Sequence, residues 1–293
     1  MESKVKQNDL EFFELIEKPS SKKLAQYYAK KYYQETKGGY EKSYSDSELL
    51  YITNKLNQKY KIIQTRFGKD LTSRSFLDVG CGEGFALKYF SNMGHVVKGV
   101  DYSSEGVCSH NPSMLKHLIT TDIFEFMEQQ INIGNTYDII WLQNVLEHVS
   151  DPVQMLNSIQ ELVSKDSILV LTVPNDFSSL QIEAMRLNHI DNEFWVIAPD
   201  HISYFNAASI YKIAEATGWN CIDLLGDFPI DWYLYNESSN YIQNKKTGKN
   251  AHTARIQIEN LLSKQPAEQV NAFYRELAKM GMGRDLTAYL VSS

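Results

Sequence analysis

Between Phe76 and Gly84 the chain reads Phe-Leu-Asp-Val-Gly-Cys-Gly-Glu-Gly, with Gly80, Gly82 and Gly84 at alternate positions and Asp78 two residues ahead of the first. Glycine lacks a Cβ, so this alternation makes a bare, tight turn that a ligand can approach closely. An apolar strand before the turn and a helix from Phe85 would add a helix N-terminus to its backbone N–H groups, a donor set suited to nucleotide-type ligands. Two such readings compete, beside a turn that binds nothing. The dinucleotide fingerprint needs glycine or alanine three residues after the second glycine, and that place is Phe85. Asp101 stands 17 residues past Gly84, at the end of the apolar run Val96–Asp101, where a carboxylate can take both hydroxyls of a ribose. It can equally cap the helix that follows Tyr102. Three of the seven histidines, His148, His201 and His252, fall in loop-like stretches. With an ordinary pKa of about 6.5, a histidine suits removal of a proton from a hydroxyl. A hydrogen-bonded packing role is the plainer alternative for each.

The elements that must position these residues alternate strand, turn and helix from Ser75 onward. Strands are predicted at 75–80, 96–101, 117–120, 137–142, 167–173 and 219–225, each apolar and short. Helices are predicted at 85–90, at 152–163 behind Asp151-Pro152, and at 206–217 before Gly218. Such alternation predicts an α/β fold whose ligands bind at the carboxyl ends of the strands. Asp78, Asp101, Asp122 and the Gln143–His148 turn all fall there. Asp122 is also placed to cap a helix. Residues 8–66 carry apolar residues at helical spacing, Phe12, Leu15 and Ile16 among them, with a tyrosine-dense loop between 37 and 46. Residues 177–204 are too long for an ordinary connection and hold Trp195, His201 and Tyr204. After 226 comes an insertion of almost sixty residues before the apolar run 285–292.

Asp78 with its three glycines, Asp101, Asp122 and the Leu146-Glu147-His148 turn, in that order, resemble the motifs of class I S-adenosylmethionine-dependent methyltransferases over residues 70–225. Within that class the likeness is to the ubiquinone-pathway-like group and to methyltransferases of bacterial glycan and secondary-metabolite pathways. The resemblance implies a Rossmann-like seven-stranded sheet, mostly parallel with its last strand antiparallel, flanked by helices. It divides the chain into a helical N-terminal lid (1–70), a cofactor-binding core (71–225 with 284–293) and an insertion shaping the acceptor pocket (226–283). It implies S-adenosyl-L-methionine as cofactor and S-adenosyl-L-homocysteine as product. Asp78, Gly80, Cys81, Gly82 and Gly84 would hold the amino-acid end, Asp101 and Tyr102 the ribose, and Asp122 and Ile123 the adenine, with Gln143 at the next strand end. Tyr33, Tyr40 and Tyr44 are candidate lid residues.

Methyl transfer from a sulfonium needs the acceptor held in line, and a hydroxyl acceptor gains from a base. His201 is the first candidate base, with Asp200 and Tyr204 as orienting partners, and His148 the second. Tyr204, Trp195 and His252 are candidate acceptor contacts. The expected reaction is O-methylation of a small hydroxylated acceptor, such as a sugar, glycan precursor or secondary metabolite. N-methylation, cofactor binding without turnover and a nicotinamide-linked oxidoreductase are its rivals. No metal is expected, because Gln143-Asn144 stands where catechol-type enzymes place acidic ligands for a divalent ion.

The 293 residues carry a net charge of −7, which argues against nonspecific nucleic-acid binding. No apolar run reaches the roughly 18 residues of a membrane span. Three scattered cysteines, Cys81, Cys108 and Cys221, form neither a disulfide framework nor a thiolate metal site. A reducing cytoplasm is the expected location, and the oligomeric state is open.

Overall fold

Phe76, Leu77, Ile139, Ile140, Leu169 and Val170 are all wholly buried, although neighbours in a strand point to opposite faces. A sheet with both faces apolar must be covered on both sides, which is how this chain is built. The computed structural model describes residues 4–19, 24, 27, 43–68, 71 and 73–293. Two short strands, β1 (Val5–Gln7) and β2 (Phe13–Leu15), precede a long helix, α1 (Asp46–Phe67). The alternating part runs β3 (Ser75–Val79), α2 (Phe85–Asn92), β4 (Val96–Asp101), α3 (Glu105–His110), β5 (Leu118–Thr120), α4 (Ile123–Asn132), β6 (Tyr137–Gln143), α5 (Pro152–Gln160) and β7 (Val163–Pro174). Then come α6 (Ser179–Arg186), β8 (Ser203–Tyr204), α7 (Ala207–Ala216), β9 (Trp219–Gly226), α8 (Gly248–Leu262), α9 (Ala267–Lys279) and β10 (Asp285–Ser292).

Seven strands form the main sheet in the order β5-β4-β3-β6-β7-β10-β9. β10 pairs antiparallel with both β7 and β9, while the remaining pairs are parallel. The architecture is therefore the Rossmann-like α/β sheet that the motifs implied. Phe76, Ile139, Trp141 and Val170 pack against α1, α2 and α9. Leu77, Ile140, Leu142 and Leu169 pack on the other face against α4, α5 and α7. The chain reverses its direction of travel between β3 and β6, and the crevice at their carboxyl ends is where open sheets place ligands.

Only the start of the N-terminal region departs from the helical extension expected of it. β1 pairs with β2, and β2 with β8, as a small antiparallel sheet of three strands. Phe12, Leu15 and Ile16 imitate helical spacing, but Leu15 N–H donates to the Ile202 carbonyl at 3.0 Å and Phe13 stacks on Phe177. Pairing with the distant 202–204 segment thus overrides the local pattern. α1 is the helical part of the extension, opened by a Ser45–Glu48 capping box. Tyr33 and Tyr40 lie outside the described residues. Tyr44 is described, and its hydroxyl donates to the Glu83 carboxylate at 2.7 and 2.9 Å.

Candidate functional site

A cavity of about 1020 Å³ opens over the carboxyl ends of β3, β4, β6 and β7. Its floor is the glycine turn. Gly80 has φ +74°, a left-handed conformation, and a Cβ there would collide with Val145 Cγ2. Gly80 and Cys81 N–H groups both donate to the Val100 carbonyl, at 2.8 and 3.2 Å, which bends the chain back over β4. Gly82 N–H donates to Asp101 Oδ2 at 2.8 Å, and Ser103 N–H to Asp101 Oδ1 at 3.0 Å. A carboxylate has about four lone-pair sites, so Asp101 keeps acceptor capacity for a ligand. Burial still pushes its pKa up, against the pull of those amides.

Asp78 is 3% exposed, lines the cavity, and its carboxylate accepts no hydrogen bond from any described side chain or amide. Burial first, and the negative Asp101 second, push its pKa well up. A buried carboxylate facing a cavity without a donor fits a ligand that brings a cation. Asp122 does two things at once. Its Oδ1 caps α4 through Phe124 and Glu125 N–H at 2.8 and 3.1 Å, while Oδ2 accepts the Tyr102 hydroxyl at 2.9 Å. Tyr102, Asp122 and Ile123 all line the cavity, so the capping role and the lining role coexist. Cys81 is buried beneath the turn, and its thiol is pushed up by burial and by Asp78.

The sequence did not single out Lys59 of α1. Its ammonium reaches Gln143 Oε1 at 3.1 Å and Thr172 Oγ1 at 3.0 Å, above the Trp141 ring. Burial, and then Lys55, lower its pKa to about 8. Lys55 contacts Asp227 at 2.7 Å and Glu259 at 3.3 Å. Burial raises Asp227, but Lys55 outweighs it and holds that carboxylate low. Glu259 goes the other way, to about 8, through burial and then Asp227. Lysines on a polar helix read as solvated surface, so nothing local in the sequence marks these two.

Glu147 and His148 occupy a single 3-10 turn, Leu146–His148, beside the crevice. His201 is brought to them from the long loop before β8. Two hydrogen bonds pin that loop to the turn, Ile202 N–H to the Glu147 carbonyl at 2.8 Å and His148 Nδ1 to the Asp200 carbonyl at 2.7 Å. The two imidazoles meet edge to face with centroids 4.8 Å apart. Glu147 is 1% exposed, and burial raises its pKa well above the carboxylate range. Both expected histidines, and Glu147, line the cavity.

His252, on α8, lines the cavity mouth 3.5 Å from Glu48. Trp195 and Tyr204 do not reach the cavity, which corrects their assignment as acceptor contacts. Both are fully buried in a separate core with Leu15, Ala184 and Leu234, and the Tyr204 hydroxyl donates to the His201 carbonyl at 2.8 Å. Tyr204 thereby supports the histidine loop from behind. Among the described residues no helix is long and apolar enough to cross a membrane.

Comparison with known proteins gives the family. Residues 52–224 match a family model described as a methyltransferase domain. The ubiquinone biosynthesis O-methyltransferase of Paraburkholderia xenovorans (strain LB400) is 23% identical over 159 residues, 53% of this chain and 68% of the relative. The enzyme of the same name from Haemophilus ducreyi (strain 35000HP / ATCC 700724) is 26% identical over 132 residues, which is 43% of this chain and 55% of that protein. Among solved structures, a SAM dependent methyltransferase from Archaeoglobus fulgidus aligns over 82% of this chain and 94% of its own at 16% identity, with a TM-score of 0.49. Since the family match spans more than half of its length, the chain belongs to the methyltransferase-domain family and is a class I S-adenosylmethionine-dependent methyltransferase.

Proposed function

We propose that the chain methylates a hydroxyl of a small acceptor, with S-adenosylmethionine as donor. The observation that carries this reading is that Glu147, His148 and His201 open on the same cavity as Asp78 and Asp101. The two relatives, both ubiquinone biosynthesis O-methyltransferases, point the same way.

In this reading Asp78 accepts the cofactor's ammonium, Asp101 its ribose hydroxyls, and Asp122 with Ile123 the adenine edge. Gly80, Cys81, Gly82 and Gly84 form the surface on which its amino-acid end rests, while Tyr102 and Gln143 flank it. When bound, the cofactor supplies a methyl group already activated on a sulfonium and leaves as S-adenosylhomocysteine. The protein's remaining tasks are to hold the acceptor oxygen in line and to receive its proton. His148 Nδ1 faces a carbonyl, so it carries the proton and Nε2 is the basic nitrogen. His201 beside it is the other proton acceptor. The acceptor wall is formed by α1 and α8, through Glu48, Tyr51, Lys55, His252 and Arg255. In this reading residues 1–70 are the lid, 71–225 with 284–293 the cofactor-binding core, and 226–283 the insertion that shapes the acceptor pocket. A sugar, a glycan precursor or a secondary metabolite fits such a polar wall.

The test is calorimetry with S-adenosylhomocysteine, followed by a product-release assay over a panel of hydroxylated sugars and phenols. Binding is expected in the natural protein and lost in Gly82→Arg and Asp101→Ala. No binding by the natural protein, or unchanged binding in both variants, refutes the site. Turnover of an amine that survives in a His148→Ala/His201→Ala double variant would assign N-methylation instead.

A further inference from the structure

We infer that the acceptor carries an oxyanion, a carboxylate or a phosphate ester, and that Arg255 receives it and thereby selects the substrate. This inference rests on the reading of α1 and α8 as the acceptor wall and deepens it by naming the substrate's class. Arg255 stands on α8 and lines the cavity together with Tyr51, Lys55 and Lys59 of α1. Its guanidinium lies over the Tyr51 ring, 5.4 Å from the centroid, an arrangement that holds the planar group and leaves its N–H edge for a ligand.

A guanidinium has five N–H donors in a fixed fork and keeps its charge at any physiological pH. Among the described residues a single one of these donors is matched, Nη2 to His252 Nδ1 at 3.2 Å. The guanidinium can only donate, so a neutral His252 carries its own proton on Nε2, the nitrogen that faces Glu48 at 3.5 Å. Arg255 Nε is buried and has no hydrogen-bond partner. The acids that act on Arg255 from further off are engaged elsewhere. Asp227 pairs with Lys55 at 2.7 Å, and Glu259 takes Lys55 at 3.3 Å and the Tyr274 hydroxyl at 3.0 Å. Ionisation of Asp285, the third of them, is opposed first by burial and then by Asp227. A cation set into a cavity wall with a buried donor unmatched carries a desolvation cost that a bound oxyanion relieves.

The neighbouring cations do not compete for this task. Lys55 is answered by Asp227, and Lys59 is held by Gln143 and Thr172 at the strand ends. Tyr51, Lys55 and Lys59 follow one face of α1 at intervals of four, which sets Tyr51 and Lys59 about 12 Å apart along its axis. Arg255, over Tyr51, therefore meets its ligand at the end of that row remote from Gln143 and the cofactor side of the cavity. An acceptor that spans the row presents its hydroxyl toward the strand ends and its anionic group to Arg255. A planar carboxylate, or one edge of a phosphate, takes two parallel N–H groups of the fork at once, which a neutral hydroxyl cannot do with the same strength. A hydroxy acid or a sugar phosphate thus fits this wall better than a neutral polyol.

The experiment titrates the full-length protein, loaded with S-adenosylhomocysteine, with inorganic phosphate and with benzoate in a calorimeter at low ionic strength. Saturable binding of at least one of the two ions is expected, weakened about 10-fold or more in Arg255→Gln and partly restored in Arg255→Lys. No saturable binding by the natural protein, or equal binding in Arg255→Gln, overturns the inference. Affinity for S-adenosylhomocysteine is read on each variant, so one that fails to fold is recognised, and Arg255→Lys, which keeps the charge and loses the fork, then carries the comparison. Turnover is measured on matched acceptors: glucose against glucuronate and a glucose phosphate, and catechol against protocatechuate. The anionic member should lead its neutral partner by about 10- to 100-fold in kcat/KM, with the lead lost in Arg255→Gln, and the carboxylate and phosphate members tell the two oxyanions apart. A neutral member turned over as well as its anionic partner sinks this inference and leaves O-methylation standing. Anion binding through Arg255 with turnover of amines alone sinks O-methylation and leaves the role of Arg255 intact.

Discussion

Lys59 permits a quantitative test of how the cavity floor is built. Its ammonium is 8% exposed as a residue and is held by two neutral oxygens, those of Gln143 and Thr172. Burial and then Lys55 depress its pKa from 10.5 to about 8. The folded protein therefore releases this proton earlier than the unfolded chain does. Between about pH 8 and 10.5 the unfolded state binds more protons, so stability contributed by this group rises with pH through that window. A difference of about 2.5 pH units at 1.36 kcal/mol each is about 3 kcal/mol, present as a penalty at pH 7 and relieved at alkaline pH. Lys59→Met deletes the titration from both states while keeping most of the aliphatic volume. Urea unfolding of both proteins, repeated from neutral pH to pH 10.5, isolates the effect from all other groups. Relative to the natural protein, the variant should be about 3 kcal/mol more favoured at neutral pH than at the alkaline end. A stability difference constant across the range would refute the reasoning, because Lys59 would then titrate as an exposed or carboxylate-paired lysine.

Asp78→Asn removes a buried carboxyl whose ionisation burial and Asp101 oppose, and should raise the stability of the ligand-free protein. The same change should weaken S-adenosylhomocysteine binding about 10- to 100-fold, read by calorimetry alongside a melting curve. Arg284→Met strands the 1%-exposed side chain of Asp176, now 3.1 Å from the guanidinium, and should cost about 3–5 kcal/mol in urea unfolding. Leu15→Ala opens a hole in the side core behind the histidine loop and should cost about 2–4 kcal/mol. Hydrogen exchange should quicken at Leu15, whose N–H donates to the Ile202 carbonyl, while the cofactor affinity stays near its natural value.

The glycine turn, Asp101 and Asp122 were legible because their spacing is local, a few residues on either side of one strand end. β10 was legible across the long insertion because Asp285–Ser292 keeps a buried apolar run wherever it falls in the chain. β1 and β2 were not. Strands of three residues have little pattern of their own, and they exist here because β8 supplies an edge. Trp195 and Tyr204 misled for a related reason: an aromatic loop reads equally as a pocket wall or as a small core, and only Leu234 and Ala184, far away in sequence, decide between them. Lys59 was hidden by its setting on a charged helix. Its burial comes from partners such as Tyr289, whose hydroxyl donates to the Lys59 carbonyl at 3.3 Å from the other end of the chain.

The division between legible and illegible residues follows the division of tasks. A donor shared by many enzymes can be held by a turn and a few strand-end carboxylates, so its site is written in short motifs. The acceptor wall depends on α1 meeting α8, joined by Asn54 to Asn260 at 3.0 Å and by Asn260 to the Ser47 carbonyl at 2.9 Å. On that wall Asp227 already answers Lys55, whose second neighbour, Glu259, is pushed up to about 8 by burial. An anionic acceptor would meet Arg255 on the same wall, whose buried Nε has no hydrogen-bond partner, without displacing Asp227 from Lys55. In the proposed reading, the choice between a neutral and an anionic acceptor rests on Arg255 and on the contact between two helices some two hundred residues apart.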